Sequence, residues 1–265
     1  MSGSLPRVSC VMPTYERPAF ALQSVQYFLR QDYPDRELLI LDDGREGILS
    51  RLPDDPRIRY IRLPRLAIGS KRNIGCSLAE GEIIAQWDDD DWYGPDRLSA
   101  QVRPLIEGRA EITGLTGTLT FDLRSWQAWR CTPRLHRSMY RHDVHGGTLV
   151  FLRSCWERYA RYPDRSLAED ARFLTRAVRA GARLGKIDDT GLFVYIRHGT
   201  NTWSFRCGRF LDPGGWQATP EVPLPPEDRA FYVALSGASA ETRACWPAGG
   251  PFRHAISRVI AAIAA

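Results

Sequence analysis

The first hundred residues alternate short apolar runs with longer amphipathic segments. Four runs are short and apolar, and they predict buried strands at residues 7–12, 37–41, 58–63 and 82–87. Amphipathic segments that begin at Pro18, Ser70 and Pro95 predict helices, and Ser70 is expected to cap the second of them. Apolar strands that alternate with helices predict an α/β fold with a mostly parallel sheet covered by helices.

The remainder of the chain has a less regular pattern. Residues 112–123 alternate with threonines and predict one or two strands, and further strands are expected at 148–152 and 192–196. A clear helix is predicted over residues 166–180. Ser166 at its N-cap and Glu169 three residues later fit a capping box.

The C-terminal part differs in composition from the rest. Residues 212–227 are rich in proline and glycine and predict a loop or an arm. Residues 252–265 are apolar apart from Arg253 and Arg258, which predicts a short amphipathic helix. Such a helix either packs on the domain, which we favour, or touches a membrane surface.

Three of the predicted strands end in polar clusters, at residues 13–17, 42–44 and 88–92. In a parallel sheet the carboxyl ends of the strands share one edge, so these clusters are expected to lie together. Their carboxylates would repel one another unless a cation or hydrogen-bond donors compensate. Acidic turns after strands are common and account for residues 42–44, whereas four consecutive aspartates at 88–91 favour a functional cluster.

Hard oxygen ligands of this kind suit Mg²⁺ or Mn²⁺. These ions bind one or two carboxylates together with phosphate oxygens of a substrate, so the cluster indicates a diphosphate ligand. Residues 69–73, at a predicted helix start, supply cationic groups and backbone N–H donors for the same anion. Taken alone, Lys71 and Arg72 would be interpreted as solvated surface charges.

Composition and net charge limit the class of protein and the partners that are expected. The 265 residues are 43% hydrophobic and 25% charged, which is typical of a globular domain. The net charge is +5, but the basic residues are scattered, so no nucleic-acid partner is expected.

The cysteines and the apolar stretches of the sequence indicate the cellular compartment in which the protein is expected. None of the six cysteines forms a CxxC pair, which favours buried free thiols in a reducing cytosol over a zinc site. No stretch approaches the about 20 apolar residues of a membrane span, and we expect no leader among the first residues. We therefore expect a cytoplasmic protein, with peripheral contact at the inner face of the membrane as the alternative.

The ordered motifs VSCVMPTYERP, ELLILDDG and KRNIGCSLAEGEIIAQWDDDDWYGPDRL resemble the family 2 glycosyltransferases of the GT-A fold. The resemblance is strong over residues 7–98 and continues through 170–203. It implies inverting transfer of a sugar from a UDP- or dTDP-linked donor, assisted by Mn²⁺ or Mg²⁺. The acceptor stays open between a saccharide, a lipid carrier, a peptide and a small metabolite, and the oligomeric state stays open as well.

The same resemblance implies a domain organisation. A GT-A domain is expected over residues 1–211, with its nucleotide-binding half at about 7–98 and its acceptor half at about 99–211. Residues 212–265 would form the arm and the short helix.

The resemblance also implies roles for individual residues. Eight residues match positions that bind the nucleotide or donor, namely Pro13, Thr14, Tyr15, Glu16, Asp43, Arg72, Asp88 and Asp89. Asp88 and Asp90 match the two ends of the DxD motif, with Asp90 as the direct metal ligand. The extra acid at Asp89 leaves open which pair is used, and Asp91 fits the DxDD form of the motif.

Later residues complete the predicted site. In EDARF, Asp170 lies in the first turns of a helix, where the dipole favours the ionised carboxylate that a general base needs, and it matches the family's base. His198, in HGTNTW, is expected either as a further metal ligand or as a structural residue. An acceptor or sugar pocket is predicted around Gly146, Gly147, Glu169 and Trp203.

Two other functions are compatible with the pattern. A nucleotidyltransferase would use the same sheet and metal but would release pyrophosphate. A catalytically silent nucleotide-binding module would keep the cluster without the chemistry, and the intact Asp170 argues against it.

Overall fold

A computed structural model describes residues 5–220 and 224–236, in which helices surround two β-sheets. The helices are α1 (Pro18–Leu29), α2 (Ile68–Leu78), α3 (Arg97–Ile106), α4 (Pro133–Met139), α5 (Arg153–Arg158), α6 (Glu169–Arg179) and α7 (Pro226–Ser236). The strands are β1 (Val8–Thr14), β2 (Arg36–Asp42), β3 (Ile58–Arg62), β4 (Ile83–Gln86), β5 (Trp92–Tyr93), β6 (Ile112–Thr116), β7 (Leu119–Asp122), β8 (Gln127–Cys131), β9 (Val150–Leu152), β10 (Leu184–Asp188), β11 (Phe193–Arg197) and β12 (Trp216–Thr219).

The larger sheet has seven strands in the order β10-β6-β9-β4-β1-β2-β3. Strand β9 runs antiparallel to both of its neighbours, and every other pair in this sheet is parallel. This arrangement confirms the predicted mostly parallel sheet flanked by helices.

Successive residues of the central strands enter two different cores. In β1, Val8, Cys10 and Met12 belong to one apolar cluster, whereas Val11 belongs to the other. Side chains of a strand alternate between the two faces, so a sheet that is covered on both faces needs apolar residues at every position. That requirement explains the continuous apolar runs from which the strands were predicted.

The smaller sheet has the order β12-β8-β7-β11-β5. Strand β5 directly follows the four aspartates and pairs antiparallel with β11. Because β11 ends at Arg197, this pairing brings the following loop, which begins with His198, to the same edge of the molecule as the aspartates.

Two predicted helix caps are wrong. Helix α2 starts after Ala67 without a side-chain cap, and Ser70 lies inside the helix, where its hydroxyl donates to Asp164 at 2.5 Å. Helix α6 starts after Ala168, whose φ is +57°, so Ser166 is not its N-cap. Instead, the Ser166 hydroxyl accepts a hydrogen bond from the backbone N–H of Ile68 at 3.2 Å.

Contact with α2 explains the later start of α6. The backbone N–H of Gly69 donates to the carbonyl of Arg165 at 2.9 Å. A Cβ atom on Gly69 would lie 2.0 Å from the carbonyl oxygen of Pro163, so only glycine allows this approach. The segment before α6 is therefore tied to α2 and cannot form a helical turn of its own.

The described part of the C-terminal segment packs against the rest of the fold. Strand β12 pairs antiparallel with β8, so the prediction of a loop over residues 212–227 is wrong for residues 216–219. Helix α7 contacts α1, since Asp228 forms an ion pair with Arg30 at 2.6 Å and the hydroxyls of Tyr27 and Tyr232 are 3.1 Å apart. The boundary at residue 212 stays a prediction, and the helix predicted over residues 252–265 lies outside the described residues.

Five cysteines lie in the described part of the chain and all are free thiols. Four of them are buried and Cys207 is partly buried, which confirms the interpretation of buried thiols for these positions. Of the helices in residues 5–220 and 224–236, none combines the length and the apolar character that crossing a bilayer requires.

Candidate active site

The three polar clusters meet at one edge of the large sheet, as the parallel strand order requires. The hydroxyl of Thr14, at the end of β1, donates to Asp89 after β4 at 2.7 Å. The ammonium of Lys71 donates to the carbonyl of Thr14 at 2.9 Å and to Asp43 after β2 at 2.7 Å. A buried lysine thus joins two of the clusters, and a threonine joins the first cluster to the aspartate run.

Two adjoining cavities open at this edge, which we call the outer and the inner cavity. The outer cavity, of about 440 Å³, is lined by residues that include Thr14, Tyr15, Glu16, Arg65, Lys71 and Thr200. The inner cavity, of about 360 Å³, is lined by residues that include Arg72, Asp88, Asp89, Asp90, Asp91 and Asp170. Both cavities share Pro13, Arg17, Ile68, Ser166 and Thr202, so they form one continuous site.

The first and last of the four aspartates have different partners. Asp88 Oδ1 accepts a hydrogen bond from Arg72 at 2.5 Å, and the same guanidinium donates to Glu169 at 3.2 Å. Asp91 is 2% exposed and accepts from the backbone N–H of Ile196 at 3.0 Å. Asp91 therefore anchors β11, whereas Arg72 connects the aspartate run to the start of α6.

The two middle aspartates share a cation that the sequence prediction missed. Arg17 donates to Asp90 and forms an ion pair with Asp89 at 2.8 Å. His198 also contacts Asp90, because its Nε2 lies 2.9 Å from Asp90 Oδ2. The prediction counted only the carboxylates after the strands, although a single arginine stood in the first cluster and could have signalled the pairing.

The pKa values of Asp89 and Asp90 are shifted in opposite directions. Burial raises the pKa of Asp89 to about 7, against the opposing charge of Arg17. Burial would also raise the pKa of Asp90, but the charge of Arg17 and the hydrogen bond with His198 outweigh it and lower this pKa to about 2. Asp90 is therefore the carboxylate that stays ionised and able to bind a cation over the whole physiological range.

The predicted metal ligands were Asp88, Asp90 and His198. The structure brings Asp90 and His198 into contact, whereas the carboxylate of Asp88 is held by Arg72. Within the described ranges, no group of three or more His, Cys, Asp or Glu side chains is arranged to hold a metal ion. The pair of Asp90 and His198 fits a weaker kind of site, in which two protein ligands are completed by phosphate oxygens and water.

Asp170 lies at the start of α6 in the wall of the inner cavity. Its Oδ1 accepts from the backbone N–H of Ala171 at 2.6 Å. Burial raises the pKa of Asp170, with Arg72 opposing the shift, so burial outweighs the helix dipole that was expected to favour the ionised form. Burial and the neighbouring charge of Asp170 likewise raise the pKa of Glu169 to about 7.

Two glycines permit the carboxylates to come this close to the backbone. A Cβ atom on Gly146 would lie 1.9 Å from Asp170 Oδ2, and one on Gly147 would lie 2.8 Å from Asp88 Oδ2. The sequence predicted an acceptor or sugar pocket at these glycines, and the groups that approach their backbone in the structure are the two carboxylates. Trp203 also lines the inner cavity, as do both glycines and Glu169.

Gly146→Ala is expected to abolish most activity while the protein stays folded, because the new methyl group would displace the Asp170 carboxylate. Turnover and the thermal midpoint of unfolding should be measured together. Gly214→Ala is the matched control, since its Cβ would meet only Asp212 at an ordinary 3.5 Å. Normal turnover in Gly146→Ala would show that the position of this carboxylate does not matter.

The predicted nucleotide ligands do not all reach the site. Tyr15 and Glu16 line the outer cavity, and the guanidinium of Arg65 stacks on the Tyr15 ring at 3.6 Å. Asp43 is not part of the lining of either cavity. Its carboxylate accepts from Lys71, from Arg65 at 2.9 Å and from a backbone N–H, and these hydrogen bonds lower its pKa against the effect of burial.

Comparison with known proteins shows where these features occur together. A sequence profile described as glycosyl transferase family 2 matches residues 9–156. The Escherichia coli (strain K12) protein WcaA, named as a glycosyl transferase of colanic acid biosynthesis, is 38% identical over 207 residues, covering 73% of this chain and 74% of its own. A Campylobacter jejuni enzyme named GalNAc(5)-diNAcBac-PP-undecaprenol beta-1,3-glucosyltransferase is 28% identical over 117 residues, covering 42% of this chain and 38% of its own.

Solved structures agree at the level of the fold. S. aureus TarS 1–349 in complex with UDP-GlcNAc superimposes with a TM-score of 0.59 at 16% identity, covering 74% of this chain. The present chain spans 60% of that TarS chain, so the likeness concerns the GT-A fold. From the matched profile and the identity to WcaA, the chain belongs to glycosyltransferase family 2 and is a glycosyl transfer enzyme.

Proposed function

We propose that this enzyme transfers a sugar, with inversion, from a UDP- or dTDP-linked donor to an acceptor hydroxyl. The observation that carries the proposal is the continuity of the two cavities. The cationic and acidic groups suited to a diphosphate lie near their junction, and the Asp170 carboxylate lies in the wall of the inner one. A donor can therefore extend from the outer cavity to within reach of a base.

The outer cavity is proposed to hold the nucleoside. Tyr15 offers a ring for the base, and the buried ammonium of Lys71 lies beside Thr14. Asp43 then acts by orienting Lys71 and Arg65, which it binds directly. The likeness to TarS, which was solved with UDP and with UDP-GlcNAc, supports a uridine donor.

A divalent cation is proposed at Asp90 and His198, where it would compete with Arg17 for Asp90. When bound, Mn²⁺ or Mg²⁺ would neutralise negative charge on the leaving diphosphate. Arg17 contacts both Asp89 and Asp90, so it is placed to turn towards the diphosphate once Asp90 has another partner. Asp88 keeps its hydrogen bond to Arg72 and belongs to the donor site.

Asp170 is proposed as the general base. It takes the proton of the acceptor hydroxyl while the hydroxyl oxygen forms a bond to the anomeric carbon. The bond from that carbon to the diphosphate oxygen breaks at the same time, and the nucleoside diphosphate leaves with the electron pair. Because the acceptor attacks the face opposite the leaving group, the anomeric configuration is inverted.

Most of the residues that line the outer cavity belong to residues 7–98, and Asp170 belongs to residues 99–211. Residues 7–98 are proposed to hold the nucleotide, and residues 99–211 to supply the base and the acceptor wall.

The buried thiols of the described cysteines support a reducing, cytoplasmic setting.

The proposed reaction is tested with a panel of UDP-, dTDP- and GDP-sugars in the presence of Mn²⁺ or Mg²⁺. Free nucleoside diphosphate should appear with at least one uridine or thymidine donor, and faster with one of the candidate acceptors, a saccharide, a lipid carrier, a peptide or a small metabolite, than with water alone. Release of pyrophosphate from a sugar phosphate and a nucleoside triphosphate would show a nucleotidyltransferase instead. Absence of both products would overturn the proposed transfer.

His198→Ala should weaken the metal site. Loss of an outer-shell partner of a metal ligand typically costs about 10–100-fold in metal affinity or activity, so we expect loss of a direct ligand to cost at least that much at limiting Mn²⁺. Excess Mn²⁺ should restore part of the rate, which is the measurement that separates a ligand from a structural histidine. His142→Ala, outside the cavity lining, is the control, and normal activity of His198→Ala at limiting metal would assign His198 a structural role.

A further inference from the structure

Asp88, His145 and Gly147 line one part of the inner cavity, which we call the recess. The point that a Cβ atom on Gly147 would occupy is 2.8 Å from Asp88 Oδ2 and 3.4 Å from Nδ1 and Cε1 of His145. All three residues line the inner cavity. Because that point is closer to the carboxylate than a real Cβ atom tolerates, Gly147 lets Asp88 pack against its backbone, and the carboxylate and the imidazole border the same part of the cavity.

The imidazole beside this recess is unusual in having no partner. His145 is 6% exposed, and within the described residues neither of its ring nitrogens has a hydrogen bond. Its ring is held between the rings of Tyr140, Phe193 and Tyr195, with centroid distances of 4.7, 5.0 and 4.8 Å. Buried polar groups in native proteins normally have partners, so a buried imidazole fixed in this way indicates that a ligand supplies one.

Two neighbouring polar groups also lack a hydrogen-bond partner among the described residues. The hydroxyl of Tyr140, a residue 7% exposed, and Nη1 of Arg72 are also buried without a partner among the described residues. Both residues line the inner cavity. Three unsatisfied groups in the lining of one cavity match a ligand with several hydroxyls better than they match an apolar one.

The protonation state of the imidazole suits a neutral ligand. Burial, with smaller contributions from the positive charges of His136 and Arg97, lowers the pKa of His145 to about 3. The ring is therefore neutral at physiological pH and presents one N–H donor and one acceptor nitrogen. A hydroxyl can satisfy such a ring while it donates to the carboxylate on the other side of the recess.

We propose that a hydroxyl of the sugar being transferred binds in this recess between His145 and Asp88, which are its two partners, with Tyr140 beside them. This inference rests on the proposed function and specifies its donor-sugar site. The sugar is assigned to the donor because Asp88 belongs to the same aspartate run as Asp89 and Asp90, which adjoin the outer cavity through Arg17. His145 thereby becomes a residue that determines which sugar is accepted.

The test compares the binding of a free nucleotide with the binding of the same nucleotide carrying a sugar. Calorimetry is performed with UDP and with UDP-glucose, UDP-galactose and UDP-GlcNAc, using wild type and His145→Phe, which keeps the aromatic packing but removes both nitrogens. Loss of one or two hydrogen bonds should weaken the preferred UDP-sugar by about 5–10-fold or more. The affinity for UDP itself should not change, because UDP lacks the group that enters the recess.

Two further variants guard against a folding defect in His145→Phe. Gly147→Ala displaces the Asp88 carboxylate, whose Oδ2 lies 2.8 Å from the position of the new methyl group, and Tyr140→Phe removes only a hydroxyl, so both should lower the affinity for the UDP-sugar relative to UDP. His136→Phe is the matched control, since this buried histidine packs against the same Tyr140 ring at 4.7 Å without lining the cavity. It should leave the ratio of the two affinities unchanged.

The outcomes separate this inference from the proposed function. An unchanged ratio in His145→Phe and Gly147→Ala, an equal change in His136→Phe, or a wild type that binds no UDP-sugar more tightly than UDP would overturn the sugar site. Weakened acceptor use with an unchanged ratio would also overturn it, because it would move these residues to the acceptor side. A wild-type protein that binds neither UDP nor any UDP-sugar would overturn the proposed uridine donor itself.

Discussion

Asp170→Asn is expected to lower kcat by about 10²–10⁴-fold, the usual cost of losing a general base. Asparagine keeps the size of the side chain but cannot accept the proton of the acceptor hydroxyl at neutral pH. The dissociation constant of the donor should barely change, because the groups placed to hold the diphosphate lie on other elements. Single-turnover rates and calorimetry on the same variant measure both quantities.

The pH profile of the wild-type enzyme gives an independent readout of this base. Asp170 acts only when ionised, so kcat should rise with pH through the pKa of Asp170 and level off above it. Burial raises that pKa, so the rise should occur above the pH at which an exposed aspartate, with a pKa of about 3.9, would titrate. The rise should be absent from the residual activity of Asp170→Asn.

Asp164→Asn provides the matched control for both experiments. Asp164 undergoes the same chemical change in the segment just before α6, but it is exposed and bonds to Ser70 outside both cavities. Near-normal turnover of Asp170→Asn would remove its role as base. Joint loss of donor binding and turnover would place Asp170 in the donor site and leave the base to be found elsewhere.

The convergence of the polar clusters could be predicted because it depends on a strong and local signal. Continuous apolar runs identify strands that are buried on both faces, and such strands in a parallel sheet end at one edge. The contact between Thr14 and Asp89 follows from that rule alone. No side-chain detail was required to bring residues so distant in sequence together.

The pairing of Arg17 and the start of α6 depend on contacts that a sequence pattern does not contain. Arg17 reaches Asp89 and Asp90 only after β1 and β4 have become neighbours. The Ser166 cap was predicted from local spacing, but the approach of Gly69 to the preceding segment overrides it. In both places a tertiary contact decides between local arrangements that the sequence alone leaves equally acceptable.

The partnerless state of His145 is a further property that only packing reveals. In the sequence, His145 is one histidine before two glycines, and nothing distinguishes it from a histidine that bonds to a neighbouring carboxylate, as His136 does to Asp143 at 2.8 Å. The imidazole of His145 instead packs against three aromatic rings, and neither of its nitrogens has a partner among the described residues. A position that was predicted through its glycines is therefore distinguished, once folded, by its histidine.

Asp90→Ala is expected to abolish the metal dependence of donor binding while the fold is retained. Asp90 is the one aspartate of the run that combines a pKa lowered to about 2 with a contact to His198. Its removal leaves Arg17 paired with Asp89 alone, so the guanidinium would be freer to contact the diphosphate without a metal. We therefore expect calorimetry with UDP to show similar affinity with and without Mn²⁺ in this variant, in contrast to a marked Mn²⁺ effect in the wild type.

Asp96→Ala is the control for this measurement, because Asp96 is exposed at the start of α3 and its side chain does not cap that helix. The control should keep the wild-type response to Mn²⁺. Persistence of the same response in Asp90→Ala would place the cation at another carboxylate, and Asp88 would then have to leave Arg72 to bind it. A wild type whose UDP affinity is independent of Mn²⁺ would instead indicate that Arg17 supplies the positive charge. The guanidinium of Arg17 would then neutralise the leaving diphosphate in place of a metal ion.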